Sequence, residues 1–250
     1  MKRLSCAFVL CLVGRTVMFA QEPSKGWIDV NFGIAAAAED TLATTTTRTQ
    51  FRETATFSAE YNHPRGAEFD FGGGYMFTPM VGLGVSFTGT AHRGSPTTSI
   101  RIPHPVIFNA FATDTAVGDT ELDRSEGGVN IHVMVNATPN ADRLRVRLFG
   151  GPTFFRVKAD TIDDIRYSQV FVILLPVNAV DITSYEFSEA EGTGWGFHVG
   201  GDVSVFFSRV VGVGGFVRFS RGTVALEDFS GAYDVKAGGV QTGGGLRLRF

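Results

Sequence analysis

Apolar and polar residues alternate with a period of two along most of the chain. In "VNIHVMVN", Val129, Ile131, Val133 and Val135 share one side, and Asn130, His132, Met134 and Asn136 share the other. "FDFGGGYMF" sets Phe69, Phe71, Tyr75 and Phe77 against Asp70, Gly72, Gly74 and Met76. "GWGFHVGGDVSVFF" sets Trp195, Phe197, Val199, Val203, Val205 and Phe207 against His198, Gly200, Asp202 and Ser204. Side chains of a strand point alternately to its two faces, so each stretch predicts a strand with one apolar face. These stretches run about ten to fourteen residues, whereas soluble strands average about five or six. At roughly 3.3 Å per residue and a tilt near 40°, ten residues rise about 25 Å, the height of the apolar band of an outer-membrane barrel.

The connections carry a second pattern. "FTPMV", "NATPNAD" and "FFSRVVG" are short turns, while residues 93–125, 158–193 and 227–237 form long polar connections. Outer-membrane barrels place short turns in the periplasm and long loops outside. Counting back from a last strand that ends in the periplasm predicts eight strands, near 50–61, 67–77, 81–92, 126–136, 143–157, 194–207, 211–226 and 238–250. One good strand is left over, "WIDVNFGIA" at 27–35, with Ile28, Val30, Phe32 and Ile34 on one face. It becomes a ninth strand if a tenth lies in "PVIFNAFATD" at 105–114. The expected fold is all-β: a transmembrane, antiparallel, up-and-down barrel of eight strands, with ten as the alternative. Trp27, Phe51, Tyr61, Phe77, Trp195, Phe207, Phe219 and Phe250 fall near strand ends, where interfacial aromatic girdles belong.

Composition agrees: glycine (31) and phenylalanine (23) are abundant, as long strands, tight turns and a large aromatic surface require. The longest apolar run, Val170 to Val177, covers eight residues and contains Pro176. No stretch after the leader supplies the roughly 20 apolar residues of a spanning helix. A chain that enters the bilayer without one must close its strands on themselves, because hydrocarbon offers backbone amides no other partners. Residues 1–20 read as a secretory signal: Lys2 and Arg3, an apolar core from Leu4 to Val13, and a cut after Ala20. Residues 21–49 then form an N-terminal segment with the spare strand, and 50–250 the barrel. Cys6 and Cys11 both lie in the leader, so the mature chain is expected to lack disulfides and thiolate chemistry. The net charge of −3 leaves no basic footprint for a nucleic acid.

The terminal "GGVQTGGGLRLRF", the "YMFTPMVGLGVSF" hairpin and the "GGPTFFRVKAD" strand resemble those of small bacterial outer-membrane barrels of the OmpA-like group. The resemblance implies an outer-membrane location, with lipid and the barrel-assembly machinery as partners. It also implies that Leu246, Leu248 and Phe250 form the C-terminal signal which that machinery reads. The peptidoglycan-binding domain that follows the barrel in OmpA is not expected after Phe250, so wall tethering by that route does not carry over.

If the apolar parity faces lipid, the other parity fills the bore. The predicted lumen network is Glu60, Asp70, His132, Arg145, Arg147, His198, Asp202, Arg218 and Arg247, with Arg249 at its end. Eight strands leave an interior just wide enough for side chains, and buried arginines there need carboxylate partners. A closed polar plug is the leading reading, and a narrow conducting path the alternative. Catalysis would require His132 or His198 to converge with Ser86 or Ser204 and an acid such as Asp202; spacing alone does not bring them together. His63 and His104 sit singly beside prolines, without a second metal ligand at the right spacing. The glycine runs lie within strands rather than before a helix, unlike a nucleotide cradle. No metal or other cofactor is expected. The functional expectation is a non-enzymatic outer-membrane barrel with a role in envelope structure or surface contact. A small porin-like channel is second, and a lipid-acting enzyme third.

Overall fold

A computed structural model describes residues 25–37, 41–62, 65–118, 120–141, 143–172, 177–228 and 231–250. The leader expected over 1–20 lies outside these residues. Among the described residues there are twelve strands: β1 (Gly26–Ala37), β2 (Thr41–Gln50), β3 (Glu53–Asn62), β4 (Arg65–Met76), β5 (Val81–Gly94), β6 (Pro96–Pro103), β7 (Phe111–Val117), β8 (Leu122–Asn136), β9 (Leu144–Val172), β10 (Val177–Phe206), β11 (Val211–Asp228) and β12 (Gly231–Arg249). Eight close into an antiparallel barrel in the order β1-β12-β11-β10-β9-β8-β5-β4, and β4 pairs back onto β1. The other four form a separate sheet in the order β2-β3-β6-β7.

The strand count matches expectation, but the identity of one strand does not. The spare segment at 27–35 is the first barrel strand, zipped to the last with Ile28 opposite Leu248 and Gly33 opposite Gly243. The segment at 50–61 is not in the barrel; its core is β3 of the separate sheet. Residues 105–114 supply a turn and the start of β7 in that same sheet, not a tenth barrel strand. The physical reason is that period two reports one apolar face and not what covers it. The apolar face of β3, Ala55, Phe57, Ala59 and Tyr61, is buried against protein instead of lipid.

The barrel wall has its apolar parity outside. Phe32, Phe71, Phe87, Ile131, Val133, Phe197, Val203, Val217 and Leu246 are all exposed, a continuous apolar belt on an otherwise closed structure. Exposed apolar surface on this scale marks a membrane or a partner, and a ring around a barrel with charge inside fits only lipid. On β9 the belt runs from Leu144 to Phe154, which stacks edge-on against Trp195 of β10 with ring centroids 5.3 Å apart. Phe77, Trp195, Phe207, Phe219 and Phe250 lie on the outer surface as an aromatic girdle would. Trp27, Tyr61 and Phe51 do not: Trp27 points into the bore, Tyr61 is buried between the extracellular layers, and Phe51 is on a distant turn.

Above the belt the chemistry of the two faces inverts while the parity continues. On β9 the outward residues become Arg156 and Lys158, and the inward ones Phe155, Val157 and Ala159. That inversion places the lipid–water boundary just beyond Phe154 and Trp195. β9 and β10 then run on as a two-stranded ribbon to the pair Val172–Val177, with bulges at Ile182/Ser184 and Glu186/Phe187. Bulges bend and twist a strand, and the ribbon lies against the four-stranded sheet. Ala55, Phe57, Ile100, Ile102 and Ala112 of the sheet pack on Ile165 and Val180 of the ribbon. The long connections 93–125 and 158–193 are therefore mostly strand, and with β2 and β3 they build a small extracellular sandwich.

Candidate functional site

The bore is filled in layers. At its periplasmic end Trp27, Met76 and Met134 pack together with Phe149. The indole needs glycine opposite it: a Cβ on Gly74 would come within 2.3 Å of its Cη2. Above this floor lies an ion-pair network. Arg147 donates through Nε and Nη2 to Asp202 Oδ1 at 3.0 and 2.8 Å, and through Nη2 to Asp29 Oδ2 at 2.8 Å. Arg247 donates through Nε to Asp202 Oδ2 at 3.0 Å, and also to Asn31. Next, Arg218 reaches Asp70 at 2.8 Å, Glu68 and Gln241, while Asn31 Nδ2 donates to Asp70 at 2.9 Å. With Trp27, Met134, Phe149 and Phe216, these side chains line a cavity of about 40 Å³, enough for a few water molecules.

β5, β8, β9 and β10 carry a second polar cluster beside this network. The Thr153 hydroxyl donates to Asn130 Oδ1 and lies 2.8 Å from His198 Nδ1. Asn130 Nδ2 donates to Ser86 Oγ at 3.2 Å, and the rings of His132 and His198 meet edge-on at 5.5 Å. Higher still, Arg124 pairs with Glu126 at 2.8 Å, and the Gly238 amide donates to Glu126 Oε2 at 2.8 Å. Gly238 has φ +97°, a conformation that glycine adopts without steric cost. An apolar layer of Phe155, Val157, Ala159, Ala190, Val224, Leu226, Val235 and Ala237 closes the top.

Of the predicted lumen residues, Asp70, Arg147, Asp202, Arg218 and Arg247 meet in one network, and His132 and His198 form the neighbouring cluster. Arg145 does not join them: it is half-buried at the periplasmic rim, 5.5 Å over the Phe206 ring. Arg249 lies beside it, 4.1 Å over the same ring, and donates to the Arg209 carbonyl. Glu60 is exposed on β3, outside the barrel, because its strand is not a wall strand. The sequence reading missed Asp29 and Asn31, which came with the misplaced first strand, and also Glu68, Gln241, Arg124 and Glu126. Glu68 lies one pair before Asp70 on the same parity and Gln241 three pairs before Arg247, so carrying each alternation further would have found them. The groups considered for catalysis are not aligned as a triad: Ser204 Oγ donates to Asp202, Ser86 accepts from Asn130, and His198 meets Thr153. Leu246 and Leu248 lie on the lipid-facing parity of β12. Phe250 N and O both bond Gly26, at 3.0 and 2.8 Å.

Outside the barrel, just above the belt, paired charges form a collar. Arg93 meets Asp123 at 2.9 Å, Arg156 Nε meets Glu191 at 2.6 Å, and Lys158 meets Glu189 at 2.6 Å. Hydrogen bonds from Arg156 and Lys158 hold the Glu191 carboxyl below its usual range, and those to Glu189 and Glu191 raise the Lys158 ammonium. The sandwich beyond is tied by Thr98 Oγ1 to Tyr185 OH at 2.9 Å, the Ile162 amide to Tyr61 OH at 2.8 Å, and the Ile182 amide to Asp114 at 2.9 Å.

No family model and no curated protein matches the chain. Among solved structures it is similar to the outer-membrane protein OprG from Pseudomonas aeruginosa, at 9% identity and TM-score 0.46 over 91% of this chain and 97% of that one. It is also similar to Neisserial surface protein A, at 12% identity and TM-score 0.43 over 90% and 97%. Ail, the attachment invasion locus protein of Yersinia pestis, is similar at 11% identity and TM-score 0.37 over 90% and 99%. The assignment of this chain rests on its own apolar belt, charged bore and closed ring of strands. It is an eight-stranded barrel of the bacterial outer-membrane type, with an extracellular β-sandwich built from its own loops.

Proposed function

We propose that the chain is a non-enzymatic outer-membrane protein that makes surface contacts through its sandwich, with the barrel as its anchor. The supporting observation is a division of labour along β9 and β10. Their inner face helps to block the bore twice, with ion pairs within the membrane and with an apolar layer just above the belt. Beyond Ala159, the last β9 residue paired with β8, they continue to Val172 as one layer of the sandwich. A solute pathway would need a continuous polar opening, and a small-molecule enzyme would need a reachable cleft. A plugged bore supplies neither, and a rigid outer module has no use within the membrane.

Leu246, Leu248 and Phe250 are proposed as the signal read by the assembly machinery, consistent with their place at the end of the closing strand. The test of the main reading is attachment of cells that display the chain. Ile100→Asp should collapse the sandwich and abolish attachment while the barrel remains folded. Attachment that survives this collapse, or steady single-channel current from the purified protein in a planar bilayer, would refute it.

A further inference from the structure

One arginine at the upper edge of the belt stands apart from the paired charges of the collar. Arg221 is exposed on the outward parity of β11, with Phe197 of β10 and Gly238 of β12 as its register partners. The apolar side chains around it are Trp195 and Phe197 on β10, Phe219 on its own strand and Val240 on β12, all on the outer wall. Arg93, Arg156 and Lys158 each meet a carboxylate. Among the described residues, Arg221 forms no ion pair and no side-chain hydrogen bond. The outward carboxylates of these three strands stand farther from the belt: Asp234 pairs with Ala225, Glu227 pairs with Glu191, and Glu189 lies beyond. Two more donors share the edge. Thr223, the next outward residue of β11, is the register partner of Lys236, whose Nζ donates to its Oγ1 at 3.3 Å. The hydroxyl accepts that bond and keeps its own proton to give. Gly238, beside Arg221, adds no side chain to this corner.

We infer that Arg221, Thr223 and Lys236 hold the phosphate of a phosphorylated glycolipid in the outer leaflet, whose acyl chains lie on the apolar wall below. A cation on the lipid face is costly unless it reaches water or an anion, and Arg221 has aromatic rings beside and below it. A guanidinium fork matches two phosphate oxygens, an ammonium can take a third, and the Thr223 proton is a further donor. The location of the three groups says what covers them. The wall just below touches acyl chains, so the polar layer that meets these donors is the headgroup layer of the same leaflet. A soluble anion would find three donors on an open wall and nothing to enclose it. A lipid adds its acyl chains against Phe197, Phe219 and Val240, and its headgroup beside Trp195, a ring suited to this interface. The inference rests on the membrane placement of the wall and is independent of the surface-contact reading.

The test uses the protein folded in detergent micelles, with Trp27→Phe so that Trp195 alone reports. Lipid A carrying its phosphates is titrated into the micelles, and dephosphorylated lipid A is titrated in parallel. The Trp195 emission should change saturably with the phosphorylated lipid, and the dephosphorylated lipid should bind at least tenfold more weakly. Arg221→Gln with Lys236→Gln should lower affinity for the phosphorylated lipid at least tenfold and leave affinity for the dephosphorylated one unchanged. Arg221→Lys should recover most of the loss, and Arg93→Gln, which removes a cation already paired with Asp123, should change nothing. The comparison of the two lipids needs no charge variant, so it stands even if the double variant fails to fold. Equal binding of the two lipids, or an unchanged double variant, would overturn the inference. Inorganic phosphate should not displace the lipid; displacement at matched concentration would make this a site for a soluble anion and end the lipid assignment.

Discussion

Arg147 and Asp202 face each other across the β9–β10 ladder, and two guanidinium nitrogens of Arg147 share one carboxylate oxygen of Asp202 at 3.0 and 2.8 Å. The other oxygen of Asp202 takes Arg247 from β12, two strands round the ring. One carboxylate therefore serves two arginines and links β9, β10 and β12 through the middle of the bore. A buried charge that loses its partner typically costs about 3–5 kcal/mol. Asp202→Ala strands two such charges on Asp29 and should lower unfolding stability in lipid vesicles by at least that much. Urea titration of tryptophan emission would measure it.

The upper layer is an apolar core inside a membrane protein, and it should behave as one. Leu226 is almost fully buried there. Leu226→Ala should cost about 2–5 kcal/mol, as in a soluble core. A cost under about 0.5 kcal/mol would mean that the layer is not packed.

The lipid boundary can be mapped with one substitution made at two heights. Val85 faces outward within the belt, and Ala225 faces outward on β11 above it. Val85→Arg should cost about 2–4 kcal/mol, whereas Ala225→Arg should change stability by about 0.5 kcal/mol or less. Equal costs at the two sites would misplace the boundary.

The sandwich should fail separately from the barrel. Ile100 is fully buried between its layers. With Ile100→Asp, protease added to the outside of cells should cut within 93–125 and 158–193 and leave a heat-modifiable barrel core. Wild-type protein should resist under the same conditions.

The collar carries a small acid sensitivity. Glu191 is held below its usual range by Arg156 and Lys158. The stabilisation it lends the β9–β10 hairpin is therefore fully present above the unfolded carboxyl range, and is lost as pH falls through its lower folded value. Amide exchange near Thr193 should quicken on acidification in wild type and show less pH dependence in Glu191→Gln.

The sequence made the wall readable because alternation in a membrane strand is strict: Ile131 against His132 and Leu246 against Arg247 both lie as their parity requires. It did not distinguish lipid from protein as the cover for an apolar face, so "TATFSAEY" passed as a wall strand and Glu60 as a lumen acid. Small residues were the missed clue. Ala55 and Ala59 suit close packing against the ribbon, while belt strands carry phenylalanine, leucine and valine. The inversion of chemistry at Phe154 was visible in "FFRVKAD", but only the structure shows that its apolar face continues inward as a seal. Partner choice within the bore was illegible, since it depends on which strands stand opposite across the ring.

The claim beneath all of this is that the greasy parity touches acyl chains and the charged parity does not. The two tryptophans test it, because Trp195 is 66% exposed on the outer wall and Trp27 only 3% exposed within the bore. In vesicles of lipid brominated on its acyl chains, a Trp27→Phe variant, which keeps Trp195, should be strongly quenched. A Trp195→Phe variant, which keeps Trp27, should hold its emission. Equal quenching of the two, or quenching of Trp27 alone, would contradict the account.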